Sequence, residues 1–294
     1  MHLTGFADEA ATSFAGQIKA TLELGWRHIE ARSIDGANIH DLDDAAFDRA
    51  RGQLAESGVS INCFGTAIMN WGKDVRKVGD FERDLEQARR AIPRMQRLGV
   101  KLARVMSYAV IPGAPAWDQM AGERFRRMRE ICGMFLDAGI LPVHENCMNY
   151  GGMGASFTLR MLDNVPGLKL VFDTGNPVFT PDHDNNGAPQ SPWDFYRQVR
   201  EHVAYVHIKD GLFDPATGKT EYTMPGKGKG DVVQILRDLV AHGYDGGLSI
   251  EPHIGAVYHD PSVTSDDEKK YRMYVAYGRQ LEVLLAAAGA CRAR

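Results

Sequence analysis

The sequence predicts an α/β protein folded as a single (β/α)8 barrel, and three observations predict it. Apolar runs of strand length alternate with helical patterns eight times along 294 residues. A glycine closes most of the helices just before the next strand begins. Connections from helix to strand are short, whereas several from strand to helix are long and polar. Strict alternation implies parallel strands with right-handed crossovers, and eight units in a chain of this length favour a closed barrel. An open doubly wound sheet is the alternative, but the stretch after the first strand reads GFADEAATSF and lacks the glycine fingerprint of that architecture.

The elements follow in order. Residues 2–6 alternate as a strand that runs out toward Asp8 and Glu9, and Ser13 caps a helix marked by Phe14, Ile18 and Leu22 that stops at Gly25. Residues 27–31 form the second strand, and residues 44–57 a helix ended by Gly58. The third strand is 59–64, and the third helix, 81–98, contains Pro93, which predicts a kink. The fourth strand is 100–106, with a helix at 117–138, and the fifth strand is 140–143, with a helix opened by Ser156. The sixth strand lies within LKLVFDTGNP, residues 168–177, and a helix follows at 193–202. The seventh strand is 203–208, with a helix capped by Asp231 and ended by Gly243. Strand eight, 247–250, and a final helix, 268–288, complete the set. No low-complexity linker divides the chain, so one domain spanning residues 1–294 is expected.

Composition narrows the function. The net charge of -4 and pI near 6.2 give no basic footprint for nucleic acid. A mean hydropathy of -0.30 with no apolar run of spanning length argues against a membrane segment. Cys63, Cys132, Cys147 and Cys291 show neither CxxC spacing nor the density of a disulfide scaffold, which points to a reducing compartment. The first ten residues carry no basic start followed by an apolar segment, so a cytoplasmic protein handling a small molecule is expected. A homo-oligomer is compatible with the sequence.

The long loops follow strands three, five, six and seven, which puts the chemistry at the carboxyl ends of the strands. Four side chains occupy equivalent places there: Glu145 after LPVH, Asp173 after LKLVF, His207 after VAYV and Glu251 after GGLSI. Three carboxylates about 4 Å apart repel by roughly 4 kcal/mol per pair at an effective dielectric of 20, and a divalent cation removes that cost. An oxygen-rich donor set favours Mn2+ first, with Mg2+, Co2+ or Zn2+ as alternatives. A lone acidic residue at a strand end is more often a cap or an ion-pair partner; four in matching places change the balance.

Other residues share this face. His144 and Asn146 flank Glu145, Asn176 follows Asp173 by three, Lys209 lies two beyond His207, and His253 two beyond Glu251. Glu30 and Arg32 end strand two on one side. Asn176, Lys209, His253, Glu30 and Arg32 are therefore candidates to bind substrate or to support the ligands. Trp71, with Phe64, Met69, Tyr150 and Met153, is a candidate pocket wall. GKGKG at residues 226–230 lacks phosphate-loop spacing and is expected to be a flexible lead into helix seven, although Lys73, Lys219, Lys227 and Lys229 could meet a phosphate. Arg124, Arg126, Arg127 and Arg129 are expected to form a solvated helix face.

The segments GFADEA, LGWRHIEARSIDGANIHDL, HEN, FDTGN, VHIKDG and SIEPH resemble, in order and spacing, those of the xylose isomerase-like TIM barrels. That group of sugar phosphate isomerases and epimerases includes ketose 3-epimerases and hydroxypyruvate isomerases. The resemblance covers essentially the whole chain. It implies that Glu145, Asp173, His207 and Glu251 bind the metal and that Glu145 and Glu251 also form the acid/base pair. Where many relatives carry a substrate-binding histidine, three residues after the metal-binding aspartate, this chain has Asn176. The implied activity is metal-dependent isomerisation or epimerisation of a ketose or keto-sugar by proton transfer through an enediolate. The alternatives are a keto-sugar or keto-inositol dehydratase or lyase and, against the acidic pI, an endonuclease IV-like DNA-repair phosphodiesterase.

Overall fold

Eight parallel strands run side by side around the molecule: β1 His2–Gly5, β2 His28–Ala31, β3 Ser60–Gly65, β4 Leu102–Val105, β5 Leu141–Glu145, β6 Lys169–Asp173, β7 Val203–Ile208 and β8 Gly247–Ile250. They pair in the order β1-β8-β7-β6-β5-β4-β3-β2, and a parallel bridge between Phe6 and Glu30 joins the two ends, so the barrel is nearly closed. The computed structural model describes residues 1–255 and 266–290; Cys291 lies outside them.

The helices of eight residues or more are α1 Phe14–Glu23, α2 Asp44–Ser57, α3 Val78–Leu98, α4 Ala121–Asp137, α5 Ala155–Asn164, α6 Pro192–Val199, α7 Val232–Ala241 and α8 Asp267–Ala287. Successive strands are joined through one of them, as right-handed crossovers require. Ser13 accepts a hydrogen bond from Gly16 N, and Gly58 at φ 67° and Gly99 at φ 70° are the left-handed caps that end α2 and α3. A large apolar core lies between strands and helices, while Cys63, Val143, Val171 and Tyr205 form a small cluster of their own. No helix among the described residues is long and apolar enough to cross a membrane.

Several sequence expectations need correction. Helix α4 begins at Ala121 rather than 117, because Met120 adopts a left-handed φ of 52° that stops the helix from extending backward. Asp231, also left-handed at φ 50°, makes no cap bond to α7; its carboxylate accepts from Trp193 N at 3.1 Å. The arginine run is a solvated face only at Arg126 and Arg129, which are exposed. Arg124 is fully buried and donates to the carbonyls of Gln119, Ser107 and Ala109 at 2.6, 2.5 and 2.7 Å, and buried Arg127 donates to Lys77 O and Glu123. These two arginines satisfy loop carbonyls above the helix, which a helical wheel does not reveal.

The glycine-rich loop is pinned rather than loose. The carboxylate of Asp210, just past β7, accepts from the backbone N–H groups of Gly211, Gly226, Gly228 and Gly230 at 2.8 to 3.0 Å. One acidic side chain thus folds the whole excursion after β7 back onto the barrel rim.

Candidate metal centre

Side chains alternate along a strand, and the inward set at the carboxyl ends builds the site. Glu145, Asp173 and His207 lie in or at the end of their strands and Glu251 directly follows β8. All four are buried, and one donor atom from each lies within 4.8 Å of the others. His207 Nδ1 is 3.4 Å from Glu145 Oε1, 3.8 Å from Asp173 Oδ2 and 3.9 Å from Glu251 Oε2.

Each donor is held from behind. Glu145 Oε2 accepts from Arg104 Nη1 at 2.8 Å, and Glu145 Oε1 from Asn176 Nδ2 at 3.2 Å. Asp173 Oδ1 accepts from the backbone of Gly175 and Asn176 at 2.8 and 2.7 Å. Glu251 accepts from Arg32 Nη1 at 3.0 Å and Lys209 Nζ at 2.7 Å. Phe6 stands edge-on to His207 at 5.0 Å, with the guanidinium carbons of Arg32 and Arg104 at 4.2 and 4.9 Å from its ring centroid.

Two buried atoms in the middle point to a missing partner. His207 Nδ1 makes no hydrogen bond, nor does Asp173 Oδ2, which meets Lys209 Nζ at 3.0 Å only as an opposite charge. Orphaned polar atoms facing a common centre are what a cation would satisfy, and three carboxylates with one imidazole suit a divalent one.

Burial and neighbouring charges set the ionisation of each donor in opposite directions. Burial pushes the Asp173 carboxyl up to about 7, although Lys209 works against it. Burial also acts on Glu145 and Glu251, but Arg104 and then His207 outweigh it and hold Glu145 at about 2. Lys209, His253 and Arg32 hold Glu251 well below the usual carboxylate range. His207 is pulled down by burial, yet Glu30 and Glu145 lift it to about 10.

The sequence matches the family described as "Xylose isomerase-like TIM barrel" over residues 18–272. The chain belongs to this family. Solved structures similar to it include a xylose isomerase-like TIM barrel protein from Mycobacterium smegmatis in complex with magnesium, at 18% identity over 97% of each chain and a TM-score of 0.68. A probable 3-DHS dehydratase, AsbF, from Bacillus anthracis has 18% identity over 96% of this chain and 98% of that one, with a TM-score of 0.68. D-psicose 3-epimerase from Clostridium cellulolyticum H10, solved with D-tagatose, has 16% identity over 97% and 99%, with a TM-score of 0.67. Identities this low show a shared fold. Comparison with curated proteins finds no match.

Within this xylose isomerase-like barrel, the remaining sequence candidates divide. Asn176, Lys209, His253 and Arg32 all reach the centre: His253 Nε2 is 3.8 Å from Glu251, and Arg32 also pairs with Asp8 at 2.9 Å and Glu9 at 3.1 Å. Glu9, Glu251 and His253 form a second close group, but Arg32 already bridges its two carboxylates. Glu30 is fully buried beneath His207, so of its two readings, substrate contact and ligand support, its hydrogen bonds fit the second. His144 faces away from the centre and pairs with Ser107 Oγ at 2.9 Å.

Trp71 lines a cavity of about 460 Å³ with Val110, Cys147, Met148, Met153 and Phe179. The cavity adjoins the centre through Cys147, whose thiol feels the charges of Glu145 and Asp173. A larger cavity of about 590 Å³ lies at the opposite end of the barrel, by Leu3, Trp26 and His28, and holds none of the four donors. Lys73 is not available to a phosphate: it is buried against Asp84, Gln87 and the Ala67 carbonyl.

Arg104, Asp8 and Glu9 were not singled out by sequence reasoning as parts of this site. Arg104 left a signal, a single inward basic residue in the apolar strand LARV. Its partner Glu145 is 41 residues away, which no local pattern reports.

Proposed function

We propose that this protein is a divalent-metal-dependent isomerase or epimerase acting on an unphosphorylated ketose or keto-sugar. The observation that carries this is the convergence of four buried donors with His207 Nδ1 and Asp173 Oδ2 unsatisfied between them. When bound, the cation supplies Lewis-acid polarisation of a substrate carbonyl, which acidifies the neighbouring C–H. Mn2+ is the first ion to test, with Mg2+, Co2+ and Zn2+ beside it.

The chain's own groups carry the proton. Glu145 on β5 and Glu251 after β8 come from different parts of the rim, and their basic partners favour the ionised form of both. Glu145 takes the proton from carbon, leaving an enediolate, and Glu251, which receives a proton from Lys209 Nζ at 2.7 Å, returns that proton to carbon; solvent then restores Lys209 and takes the proton from Glu145. Return to the opposite face of the same carbon gives an epimer; return to the neighbouring carbon gives the aldose-ketose isomer. The Trp71 cavity supports an uncharged substrate, since no lysine or arginine contributes to its lining among the described residues.

A second reading is dehydration. Lys209 Nζ, between Asp173 and Glu251, is placed to protonate a departing hydroxyl β to the carbonyl. Incubation with a panel of free ketoses, with and without chelator, separates the two by product mass. A product of unchanged formula that vanishes on chelation supports isomerisation or epimerisation; a product lighter by one water moves the assignment to dehydration. The endonuclease alternative is disfavoured, because Arg32, Arg104 and Lys209 are all engaged with carboxylates of the centre.

A further inference from the structure

The excursion after β7 contains an antiparallel hairpin, Gly211–Asp214 paired with Lys219–Tyr222, in which Gly211 faces Tyr222. Thr223 N then donates to Asp210 O at 3.0 Å, so the chain returns Tyr222 to the strand end from which the hairpin left. The same Asp210 carboxylate fastens the loop that follows. Residues 213–221 are exposed, while Tyr222 is half-buried.

Tyr222 packs between His253, on the side of the metal centre, and Phe179, on the side of the Trp71 cavity. Its ring is edge-on to His253 at 4.9 Å and to Phe179 at 5.1 Å. His253 is the neighbour of Glu251, and Phe179 lines the cavity. The Tyr222 hydroxyl makes no hydrogen bond among the described residues, and the fold gives it no structural partner there.

We propose that Tyr222 is a substrate-contacting residue that sets specificity: its ring walls the passage between centre and cavity, and its hydroxyl hydrogen-bonds a sugar hydroxyl. An aromatic face with one polar tip suits a sugar, which alternates C–H surface with hydroxyl groups. The proposal rests on the keto-sugar function above, and its test separates the two.

Tyr222→Phe, Tyr222→Ala and, as a control on the exposed part of the hairpin, Phe213→Ala are compared with wild type as metal-loaded proteins. The measurements are metal affinity, melting temperature, KM and kcat for the best ketose of the panel, and calorimetric binding of that ketose. Tyr222→Phe is expected to raise KM and weaken sugar binding about three- to tenfold, the worth of one hydrogen bond, with metal affinity unchanged. Tyr222→Ala is expected to go further, and Phe213→Ala to match wild type. Should Tyr222→Ala fail to fold, Tyr222→Phe, which keeps the ring, decides alone. Wild-type KM and binding in Tyr222→Phe, beside an active wild type, overturns the role of Tyr222 and leaves the function standing. A wild type that neither binds nor converts any ketose overturns both.

Discussion

The carboxylate of Glu30 lies beneath the His207 ring, with its two oxygens 3.1 and 2.9 Å from Nε2. Ser249 Oγ donates to the same carboxylate at 2.6 Å, and Nδ1 on the far side of the ring is left facing three carboxylates. Glu30 therefore fixes which imidazole nitrogen is offered to a cation. Glu30→Ala is expected to weaken divalent-metal binding about 10- to 100-fold, and Glu30→Gln, whose amide oxygen still accepts from Nε2–H, by less. Titration calorimetry of metal into the stripped proteins measures this, and wild-type affinity in Glu30→Ala would refute it.

Lys209 is the built-in counter-ion of the centre, at 3.0 Å from Asp173 and 2.7 Å from Glu251. Lys209→Met leaves those carboxylates buried without it, so the metal-free variant is expected to lose about 3–5 kcal/mol of stability. Saturating divalent cation neutralises the same oxygens and should restore much of the loss. Urea unfolding in chelator and in excess metal reads both effects; equal destabilisation in the two conditions would contradict this role.

Asp210 collects four backbone N–H groups. Asp210→Ala leaves them without their acceptor and is expected to cost about 2–4 kcal/mol and to loosen residues 211–230. Limited proteolysis should then cut within that stretch in the variant and spare the wild type. An unchanged cleavage pattern would show that the loop is held by other contacts.

His144 is buried and neutral, since burial takes its pKa from 6.5 to about 3. The unfolded chain binds a proton at this residue near pH 6.5, whereas the folded chain refuses it until about 3. Its contribution to stability is therefore present above 6.5 and declines as pH falls toward 3, by up to about 1.4 kcal/mol per pH unit. Unfolding free energies measured across this range should fall less steeply for His144→Gln than for wild type; parallel curves would rule the linkage out.

Much of the fold was legible because local signals agreed. Strands β7 and β8 and helix α2 match the expected bounds residue for residue, each framed by a turn signal and an unambiguous period. The convergence of Glu145, Asp173, His207 and Glu251 was legible for the same reason: period-two alternation and a common place at the strand end put all four inside. What escaped depends on partners distant in sequence. Arg124 is buried because carbonyls of a preceding loop wait above it, and GKGKG is ordered because Asp210, up to 20 residues earlier, accepts its N–H groups. Tyr222 was hidden inside a loop whose hairpin has strands of only four residues.

Deuterium transfer from solvent tests the central claim most directly. Metal-loaded protein incubated in D2O with unphosphorylated ketoses should place deuterium on a carbon beside the carbonyl of a converted sugar. Chelation should abolish the exchange, and Glu145→Gln and Glu251→Gln should each slow it about a thousandfold. Turnover of a ketose with no deuterium at any carbon-bound position would contradict proton transfer by these two glutamates.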